Sequence, residues 1–474
     1  MVNPLWIRTL RILASLRPAF SRQKTFLWFC CAVAAFLIRP RIDAVTSMAA
    51  ALGGGKRIYM RLLDFFASSA VCQIRLGALW GTLLLRHPKT IRIGNRVLLA
   101  VDGIKAPHSG RRMPGVKQLH QSASTNTKPE YITGHSMQSI AVLWRSLAGV
   151  AAIPLFTRIL EGLKACPRDA RSQIDRLPDY LAKLLGHTPF YLVADAYYAV
   201  GKFAKALRRM DGHLITRARG NAVAYLVPKN DEARKRGRPR KYGKKVRLHD
   251  LAKNKEGYVK ADSPLYGETG VTLLYKEAVL IWRPLEGLVK FVLVRHPHRG
   301  KGAVFLMTTD LNLPPLDVIM AYGLRFKIEV SFKSAVHSIG SFAYRFWTDA
   351  LPKARRIGGD RYTHRMKRDL SKRVWEKFES YHVFLQVAAI AQGITQILAA
   401  EMPEKVREQD TEYRRTVIAL PSEATVKRVL EKTSGIFSGM TDDPGQCINR
   451  IAVALGAAAA TPVDNAVENQ ARCA

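Results

Sequence analysis

The chain has 474 residues, of which 48% are hydrophobic, so it is long and apolar enough to form several domains with at least one sizeable core. Its 75 Lys and Arg residues outnumber the 37 Asp and Glu residues, and the resulting charge of +38 excludes an ordinary near-neutral globular enzyme. Such an excess attracts polyanions, with nucleic acid the leading partner and an anionic membrane the second. The six cysteines form no C-x-x-C pair or zinc-like spacing, which favours reduced thiols and a cytoplasmic, nucleoid-associated protein.

Residues 1–92 show the three-to-four spacing of apolar residues that is typical of helices, with arginines interspersed. We predict a helical DNA-binding or assembly region here, although the same pattern fits a cap on the core. Its longest apolar run, residues 25–38, has 14 residues, whereas a membrane-spanning helix needs about 20. The run therefore favours a buried helix over a membrane anchor, and we expect no membrane partner.

Two short apolar runs, residues 97–102 and 190–195, each end in an aspartate and are typical of buried central strands. A helical stretch to about residue 210 and a further strand at 213–217 follow the second run. This β-α-β order predicts a partly parallel sheet, with residues 93–220 as the first part of an α/β core.

The remaining chain divides into three further regions. Residues 221–314 hold a basic, Gly/Pro-broken segment (229–247) and three β-rich runs (271–282, 288–295 and 303–308), which predict an insertion that interrupts the core. Helical periodicity resumes over residues 315–350. Residues 351–474 are predicted to be mostly helical, with a basic stretch at 353–373, an apolar helix around 384–399 and a loose tail.

Asp102 and Asp195 carry the first chemical signal, because strands that end in aspartate place carboxylates at the carboxyl edge of the sheet, where open α/β folds have their sites. Two adjacent carboxylates repel each other unless cations hold them, and Mg²⁺ prefers such hard oxygen ligands. The alternative for either residue alone is an aspartate that merely starts a turn.

A third element lies on the predicted helix around Glu329. Four polar residues at offsets of 3, 7 and 11 share one face, and three apolar residues form a packing stripe on the other. The polar face comprises Tyr322, Arg325, Glu329 and Lys333, and the apolar stripe comprises Leu324, Ile328 and Phe332. This face suits a DNA end beside a metal, but alone it also fits a solvated helix with an Arg325–Glu329 pair.

In combination these segments resemble the DDE transposases of bacterial insertion sequences, in the group with a Tyr-Arg-Glu-Lys signature. The matching segments are VLLAVDGIK around Asp102, FYLVADAYY around Asp195, HLITRARG on the next strand, and TTDLNLPPLDVIMAYGLRFKIEVSFK leading through Glu329. The resemblance covers roughly residues 90–350 and is specific only through the combination. It implies an RNase H-like core of mixed sheet flanked by helices, interrupted by a β-rich insertion, with helical N- and C-terminal regions.

The resemblance also implies roles for individual residues. Asp102, Asp195 and Glu329 would be the catalytic triad that binds two Mg²⁺ or Mn²⁺ ions, and Tyr322 and Arg325 would contact DNA near the reacting end. The signature lysine falls seven positions after Glu329, at Val336, whereas Lys333 comes at four. Lys333 therefore either substitutes for the signature lysine or the role is absent.

The implied function is metal-dependent cleavage at insertion-sequence ends and strand transfer into target DNA. One ion would activate a water and the other would stabilise the leaving 3′ oxygen, after which the freed 3′-OH replaces water as the nucleophile. We expect double-stranded DNA as the partner and a homodimer on DNA, because joining two ends requires two active sites. The alternatives are a catalytically inactive, DNA-binding architectural protein derived from a transposase and, last, a peripheral membrane protein.

Two basic segments are predicted to touch DNA. Arg236, Arg238 and Arg240 form an Arg-Gly-Arg-Pro-Arg element that resembles an AT-hook for narrow minor grooves, or else belong to a solvated linker. The loop after Asp102 carries Lys105, His108, Arg111, Arg112 and Lys117, which suit phosphate contact or an ordinary exposed loop. Residues 53–56 (GGGK) lack the earlier glycine and following Ser or Thr of a P-loop, so no ATP dependence is expected.

Overall fold

The computed structural model describes residues 3–121, 129–146, 149–228, 240–298, 302–355, 358–410 and 421–461. Its chain begins with the helices α1 (Pro4–Ser15), α2 (Gln23–Ile38), α3 (Ala44–Ala51), α4 (Lys56–Phe66) and α5 (Gln73–Arg86). Every residue of α2 from Phe26 to Ile38 is buried, because a helix that is apolar on all sides has no face for solvent. The prediction of a buried helix at residues 25–38 is therefore confirmed.

The first part of the core is built on a mixed sheet. Its elements are β1 (Arg92–Ile93), β2 (Arg96–Pro107), β3 (Lys117–His120), β4 (Tyr131–Ser146), β5 (Gly149–Ile159), β6 (Leu163–Lys164), α6 (Gln173–Leu185), β7 (Phe190–Ala194), α7 (Gly201–Arg208) and β8 (Gly212–Arg217). Strands β2, β7 and β8 are parallel neighbours, while β4 runs antiparallel to β2 and β5 antiparallel to β4. The order β5-β4-β2-β7-β8 is that of an RNase H-like core, so the predicted fold class is confirmed.

The next segment supplies β9 (Val223–Tyr225), β10 (Lys245–Arg247), α8 (Leu248–Lys253), β11 (Val259–Asp262), β12 (Thr272–Trp282), β13 (Gly287–Arg295) and β14 (Val304–Thr308). The three predicted β-rich runs correspond to β12, β13 and β14. They interrupt the core in sequence but extend its sheet in space, because β14 pairs antiparallel with β8 through Thr308 and Ile215.

The chain then returns to helices: α9 (Pro315–Gly323), α10 (Lys327–Ser334), the short strand β15 (Arg361–Tyr362), α11 (Arg368–Glu401), α12 (Pro403–Gln409), α13 (Glu423–Lys432) and α14 (Pro444–Ala460). A 3₁₀ turn (Leu324–Phe326) joins α9 to α10, and a π-helical turn (Ala335–Ile339) follows α10. Helix α11 is the one helix of the described chain that is long and apolar enough to cross a membrane. Since 94% of its apolar window is buried inside the protein, it acts here as the central core helix.

Side chains of β2 alternate between two cores on opposite faces of the sheet, as the period of a strand requires. Val97, Leu99 and Val101 face the larger core, which also contains α2 and α11. Leu98 and Ala100 face the smaller core, on which α9 and α10 pack. The predicted apolar stripe of the Glu329 helix lies on this smaller core through its buried residues Leu324 and Ile328 and the partly buried Phe332.

Two features of the sheet differ from the sequence prediction. Strand β2 does not end at Asp102 but continues to Pro107. Its pairing with β7 ends at Ala100, whereas its pairing with β4 begins at Leu99 and extends to Pro107. The long hairpin of β4 and β5 was not predicted, since its buried run contains polar residues such as His135 and Gln138. His135 Nε2 hydrogen-bonds the carbonyl of Pro114 at 2.9 Å, and Gln138 Nε2 donates to Gln173 Oε1.

Candidate active site

Asp102 and Asp195 lie side by side at the carboxyl edge of two parallel strands. The last paired residues of β2 and β7 are Ala100 and Val193, and each aspartate follows its strand's last pair by two residues. Neighbouring strands are about 4.8 Å apart, so this register sets the two carboxylates next to each other. The structure thus brings together two residues that are 93 positions apart in sequence, as the strand pattern predicted.

Local hydrogen bonds fix the backbone around both aspartates. Asp102 Oδ1 accepts from the backbone N of Gly103 at 2.8 Å. Asp195 Oδ1 accepts from the backbone N of Tyr197 at 3.0 Å, and the Asp195 carbonyl accepts from Thr216 Oγ1 on β8 at 2.6 Å. In both aspartates the backbone N–H bonds to Oδ1, so the other carboxylate oxygen, Oδ2, is available for another partner.

Arg325 connects Asp102 to Glu329. Its Nη1 donates to Asp102 Oδ2 at 2.9 Å, and its Nη2 donates to Glu329 Oε1 at 2.6 Å. The i,i+4 pair expected for an ordinary solvated helix is therefore present, but the same guanidinium also reaches the sheet. Glu329 is thereby held beside the first aspartate, and the three predicted acids gather at one edge of the fold.

The electrostatics of the site follow from this grouping. Burial raises the pKa of Asp102 to about 6, and the charges of Asp195 and Glu329 add to the rise, while the Gly103 N–H and Arg325 oppose it. Burial disfavours the charged form of Arg325, but its hydrogen bond to Glu329 and the charge of Asp102 outweigh burial and raise the pKa of Arg325. The acids are a cluster of like charges that needs a cation, and Arg325 supplies one.

The donor set fits a hard divalent cation. Carboxylate oxygens are the ligands that Mg²⁺ prefers. A divalent ion would also neutralise the repulsion from Asp195 and Glu329, which adds to the effect of burial in raising the pKa of Asp102. Within the described residues, however, no three His, Cys, Asp or Glu side chains stand close enough to hold an ion as they are placed. The Arg325 guanidinium lies between Asp102 and Glu329 instead.

The other predicted residues of the helix have different settings. Tyr322 is half-buried against the smaller core, and burial raises its pKa, while the nearby Arg325 and Arg217 oppose the rise. Lys333 is exposed and has no ion-pair partner in the described part of the chain. Val336 is 38% exposed and lies in the π-helical turn, where the wider turn changes the face expected from regular α-helical spacing.

The basic loop after Asp102 is tied to the segment that precedes β15. Lys105 Nζ donates to the carbonyl of His120, and Arg111 Nε donates to the carbonyl of Ala354 at 2.7 Å. The carbonyl of Arg112 accepts from the backbone N of Thr348 at 3.2 Å. Lys105 lies on the outer part of β2 rather than in a loop, as the sequence had predicted for it, and its side chain is exposed. Arg111 is exposed and Arg112 is half-buried on the segment after β2, which these hydrogen bonds hold in place.

The AT-hook-like element lies mostly beyond what can be described. Arg236 and Arg238 fall outside the described residues, whereas Arg240 is described and exposed. Their contact with DNA stays a prediction.

A buried polar network under the aspartates was not predicted. Tyr198, next to the Asp195 turn, donates through its hydroxyl to Gln138 Oε1, and Gln138 Nε2 donates to Gln173 Oε1. Gln173 in turn donates to Ser136 Oγ at 3.1 Å. Gln138 pairs with Gly103 across β2 and β4, so the network joins the turn after Asp195 to the strand of Asp102. The sequence signal was a buried strand carrying a glutamine, which requires an internal partner.

Comparison with known proteins gives one match over more than half of the chain. The family described as DDE superfamily endonuclease matches residues 15–262, which include Asp102 and Asp195. Endonucleases of this superfamily generally use divalent metals. No curated protein gives a significant match.

Among solved structures, the chain is similar to piggyBac transposase in a cryo-EM synaptic complex with hairpin DNA, with a TM-score of 0.33 and 10% identity. The alignment covers 87% of this chain and 60% of that chain, so the present chain spans less than two thirds of that protein's length.

Proposed function

Since the chain belongs to the DDE superfamily of endonucleases, we propose that it is a DNA transposase, which cuts DNA at insertion-sequence ends and joins the freed 3′ ends to target DNA. The observation that carries this proposal is the gathering of three acids from distant parts of the chain. Asp102 and Asp195 stand in register on parallel strands, and Arg325 ties Glu329 to Asp102. The proposal includes the bacterial group with the Tyr-Arg-Glu-Lys signature, to which Tyr322, Arg325 and Glu329 correspond.

Asp102, Asp195 and Glu329 would hold two Mg²⁺ or Mn²⁺ ions. Bound there, the ions would supply an activated water and charge stabilisation for the leaving 3′ oxygen. The protein's own contribution is to place the acids: two are set by strand register, and the third is carried on a helix that packs on the smaller core. In the structure Arg325 occupies the position between Asp102 and Glu329.

Arg325 and Tyr322 would contact DNA near the reacting end, as in the resembling group. A guanidinium that leaves the acids is free to bind a phosphate, because its fork of N–H donors matches phosphate oxygens as well as carboxylates. Loading the acids with metal and binding the DNA end would thus be coupled through one side chain. Lys333, one turn beyond Glu329, would supply the further cation near the DNA end.

The basic walls around the acids would hold the DNA. Phosphates would contact Lys105 on β2 and Arg111 and Arg112 on the segment that follows β2. The segment containing Arg236, Arg238 and Arg240 would reach an adjacent groove. The net charge of +38 supports strong, salt-sensitive binding. Two copies of the chain would act together on two ends, as a homodimer on DNA.

The test uses a linear DNA fragment that carries the sequences flanking the gene of this protein, together with a supercoiled target plasmid. Full-length protein with Mg²⁺ or Mn²⁺ should release 3′ ends at defined positions and join them to the plasmid, whereas protein with EDTA should do neither. Binding of the fragment without any cleavage in either metal would instead show an inactive, architectural DNA-binding protein.

A further inference from the structure

A row of serines lies on the side of the Glu329 helix that is opposite Glu329 itself. Ser331 and Ser334 follow Glu329 by two and five residues, which places them about 200° and 140° around the helix from it. Ser338 continues the row in the π-helical turn. Glu329 is exposed, whereas Ser331 is buried and the other two serines are half-buried, so the row faces the interior of the protein.

Polar side chains from two other helices meet the first two serines of this row. Gln392 Nε2, on α11, donates to the carbonyl and to Oγ of Ser331 at 2.9 and 3.1 Å. Ser334 Oγ donates to Glu423 Oε2, on α13. The inner side of the Glu329 helix is therefore attached to the C-terminal helical region by hydrogen bonds as well as by apolar packing.

Glu423 also reaches the central sheet. Gln396 Nε2, one turn after Gln392 on α11, donates to Glu423 Oε1 at 2.8 Å and to the carbonyl of Ala152 on β5 at 3.2 Å. Strand β5 pairs with β4, and β4 pairs with β2 at Asp102. Glu423 thus connects the inner side of the Glu329 helix to the sheet that carries Asp102.

The hydrogen bonds to Glu423 come from neutral groups. Burial raises the pKa of Glu423, while the hydrogen bonds from Ser334 and Gln396 oppose the rise. A carboxylate in such a setting is costly to bury unless its oxygens are hydrogen-bonded. The two oxygens of Glu423 accept from donors on two different helices at once, which an apolar side chain cannot do.

Two cations hold the end of the same helical segment. Lys427 Nζ, one turn after Glu423 on α13, donates to the carbonyl of Ser338 at 2.8 Å. The buried guanidinium of Arg39 donates to the carbonyls of Ile339 and Gly340 at 2.5 and 3.2 Å. Carbonyls at the end of a helix lack partners within it, and cations there are favourable. The segment is therefore fixed at its end as well as along its inner side.

We propose that Glu423 is a positioning residue of the active site, which fixes the Glu329 helix relative to the sheet of Asp102 through its contact with Ser334. Helix α13 of the C-terminal region would thereby complete the site. The inference rests on the proposed function, because the role of Glu329 is taken from it. Groups that orient a metal-binding side chain change metal affinity or activity by about 10–100-fold when they are lost, although they do not touch the metal.

The first experiment measures cleavage of the end fragment by full-length protein. Glu423→Ala should lower kcat by about 10–100-fold and change KM for the fragment by less than about 2-fold, because the substitution displaces Glu329 and removes no DNA contact. Glu423→Gln should retain most of the rate. Its side chain keeps an acceptor for Gln396 and a polar partner for the hydroxyl of Ser334, whose oxygen can also accept.

Two further variants separate positioning from general loss of stability. Glu401→Ala removes another acid of α11, which accepts from Arg8 Nε at 2.8 Å and lies 2.8 Å from His87 Nε2. Its partners belong to α1 and to the residue after α5, so this variant should keep the wild-type kcat. Ser334→Ala removes a single hydroxyl and should lower kcat by about 5-fold, which tests the contact even where Glu423→Ala does not fold.

The second experiment measures hydrogen exchange in EDTA without DNA. Amides of residues 330–334 should exchange about 10-fold faster in Glu423→Ala than in the wild type, since the loss of a buried hydrogen bond favours local opening of the helix. Ser334→Ala should change the exchange in the same direction. Glu423→Gln and Glu401→Ala should exchange at close to the wild-type rate in this helix.

The outcomes distinguish this inference from the proposed function. Wild-type kcat in Glu423→Ala, or in Ser334→Ala where the former does not fold, would overturn the positioning role even if the wild-type protein cleaves DNA. An equal loss of kcat in Glu401→Ala would also overturn it, because general destabilisation would then explain the effect. If the wild-type protein cleaves no DNA, the proposed function fails and the exchange rates decide alone. Faster exchange in Glu423→Ala would then support its hold on the helix, and unchanged exchange would overturn it.

Discussion

Arg325 donates to Asp102 at 2.9 Å, although 223 positions separate the two residues in the chain. The same guanidinium donates to Glu329, so one cation holds a sheet residue and a helix residue of the acidic cluster together. Both members of the Arg325–Asp102 pair have side chains that are only 18% exposed, which makes the pair stronger than a surface salt bridge. Arg325 therefore stabilises the arrangement and competes with any other cation for it.

This competition predicts how Arg325→Ala changes stability. In EDTA the substitution should lower the free energy of unfolding by on the order of 1–3 kcal/mol, because it leaves Asp102 half-buried without its partner. Mg²⁺ or Mn²⁺ should then raise the melting temperature more in Arg325→Ala than in the wild type, since no guanidinium has to be displaced. Arg325→Lys, which keeps the charge but not the fork, should fall between them. Equal metal-induced shifts in all three proteins would show that Arg325 does not compete for the acids.

The network of Tyr198, Gln138 and Gln173 predicts a positioning effect. Gln138→Leu should destabilise the protein by about 2–4 kcal/mol, because it leaves buried polar groups of both neighbours without partners. Tyr198→Phe removes one hydroxyl and should cost about 1 kcal/mol. Denaturant unfolding of the two single variants and the double variant checks this, since residues in one network should show an interaction energy of about 0.5–3 kcal/mol. Additive effects would mean that the residues act independently.

Lys333 is expected to supply the cation that the signature places at Val336. Lys333→Ala should slow cleavage of the end fragment by about 10-fold, the loss of one charge-assisted contact, while leaving fragment binding largely intact. Val336→Lys in that background should restore part of the rate, because a lysine stem is flexible and about one helical turn separates the positions. Lys372→Ala, an exposed lysine on α11, serves as the control. Full activity of Lys333→Ala would show that the reaction dispenses with this cation.

The basic segment predicts a change in salt dependence. Replacing Arg236, Arg238 and Arg240 together by alanine should weaken duplex binding and reduce the salt slope by up to about 2.7, because each phosphate contact contributes about 0.9. Binding isotherms at several salt concentrations measure the slope. A control that removes the exposed Lys253, Lys255 and Lys260 tests whether any loss of charge has the same effect. An unchanged slope after the arginine substitutions would mean that the segment does not touch DNA.

The sequence predicted the parts of the site that local patterns encode. A continuous apolar run ending in aspartate reports a strand buried on both faces. The order of strand, helix and strand from residue 190 to residue 217 predicted a parallel pair, as β7 and β8 are. The apolar stripe through Leu324 and Ile328 likewise predicted which face of the Glu329 helix packs on the core.

Other parts of the site depend on contacts that no local pattern records. The bond from Arg325 to Asp102 joins chain segments more than 200 residues apart. Helical periodicity also predicted one regular helix through Tyr322 and Lys333, whereas a 3₁₀ turn and a π-helical turn alter its geometry. The π-helical turn ends at Gly340, whose φ of 71° is a conformation that glycine adopts readily.

The most direct test of the central claim is the rate of metal-dependent cleavage in three single variants, Asp102→Asn, Asp195→Asn and Glu329→Gln. Each removes one charge with little change in volume, and the comparison is made with Asp317→Asn, an acid of α9 outside the cluster. If the three acids act as one metal-binding unit, each of the three should lower the cleavage rate of the end fragment by at least about 1,000-fold, while fragment binding persists and Asp317→Asn cleaves normally. Cleavage at the wild-type rate by any one of the three would contradict the assignment.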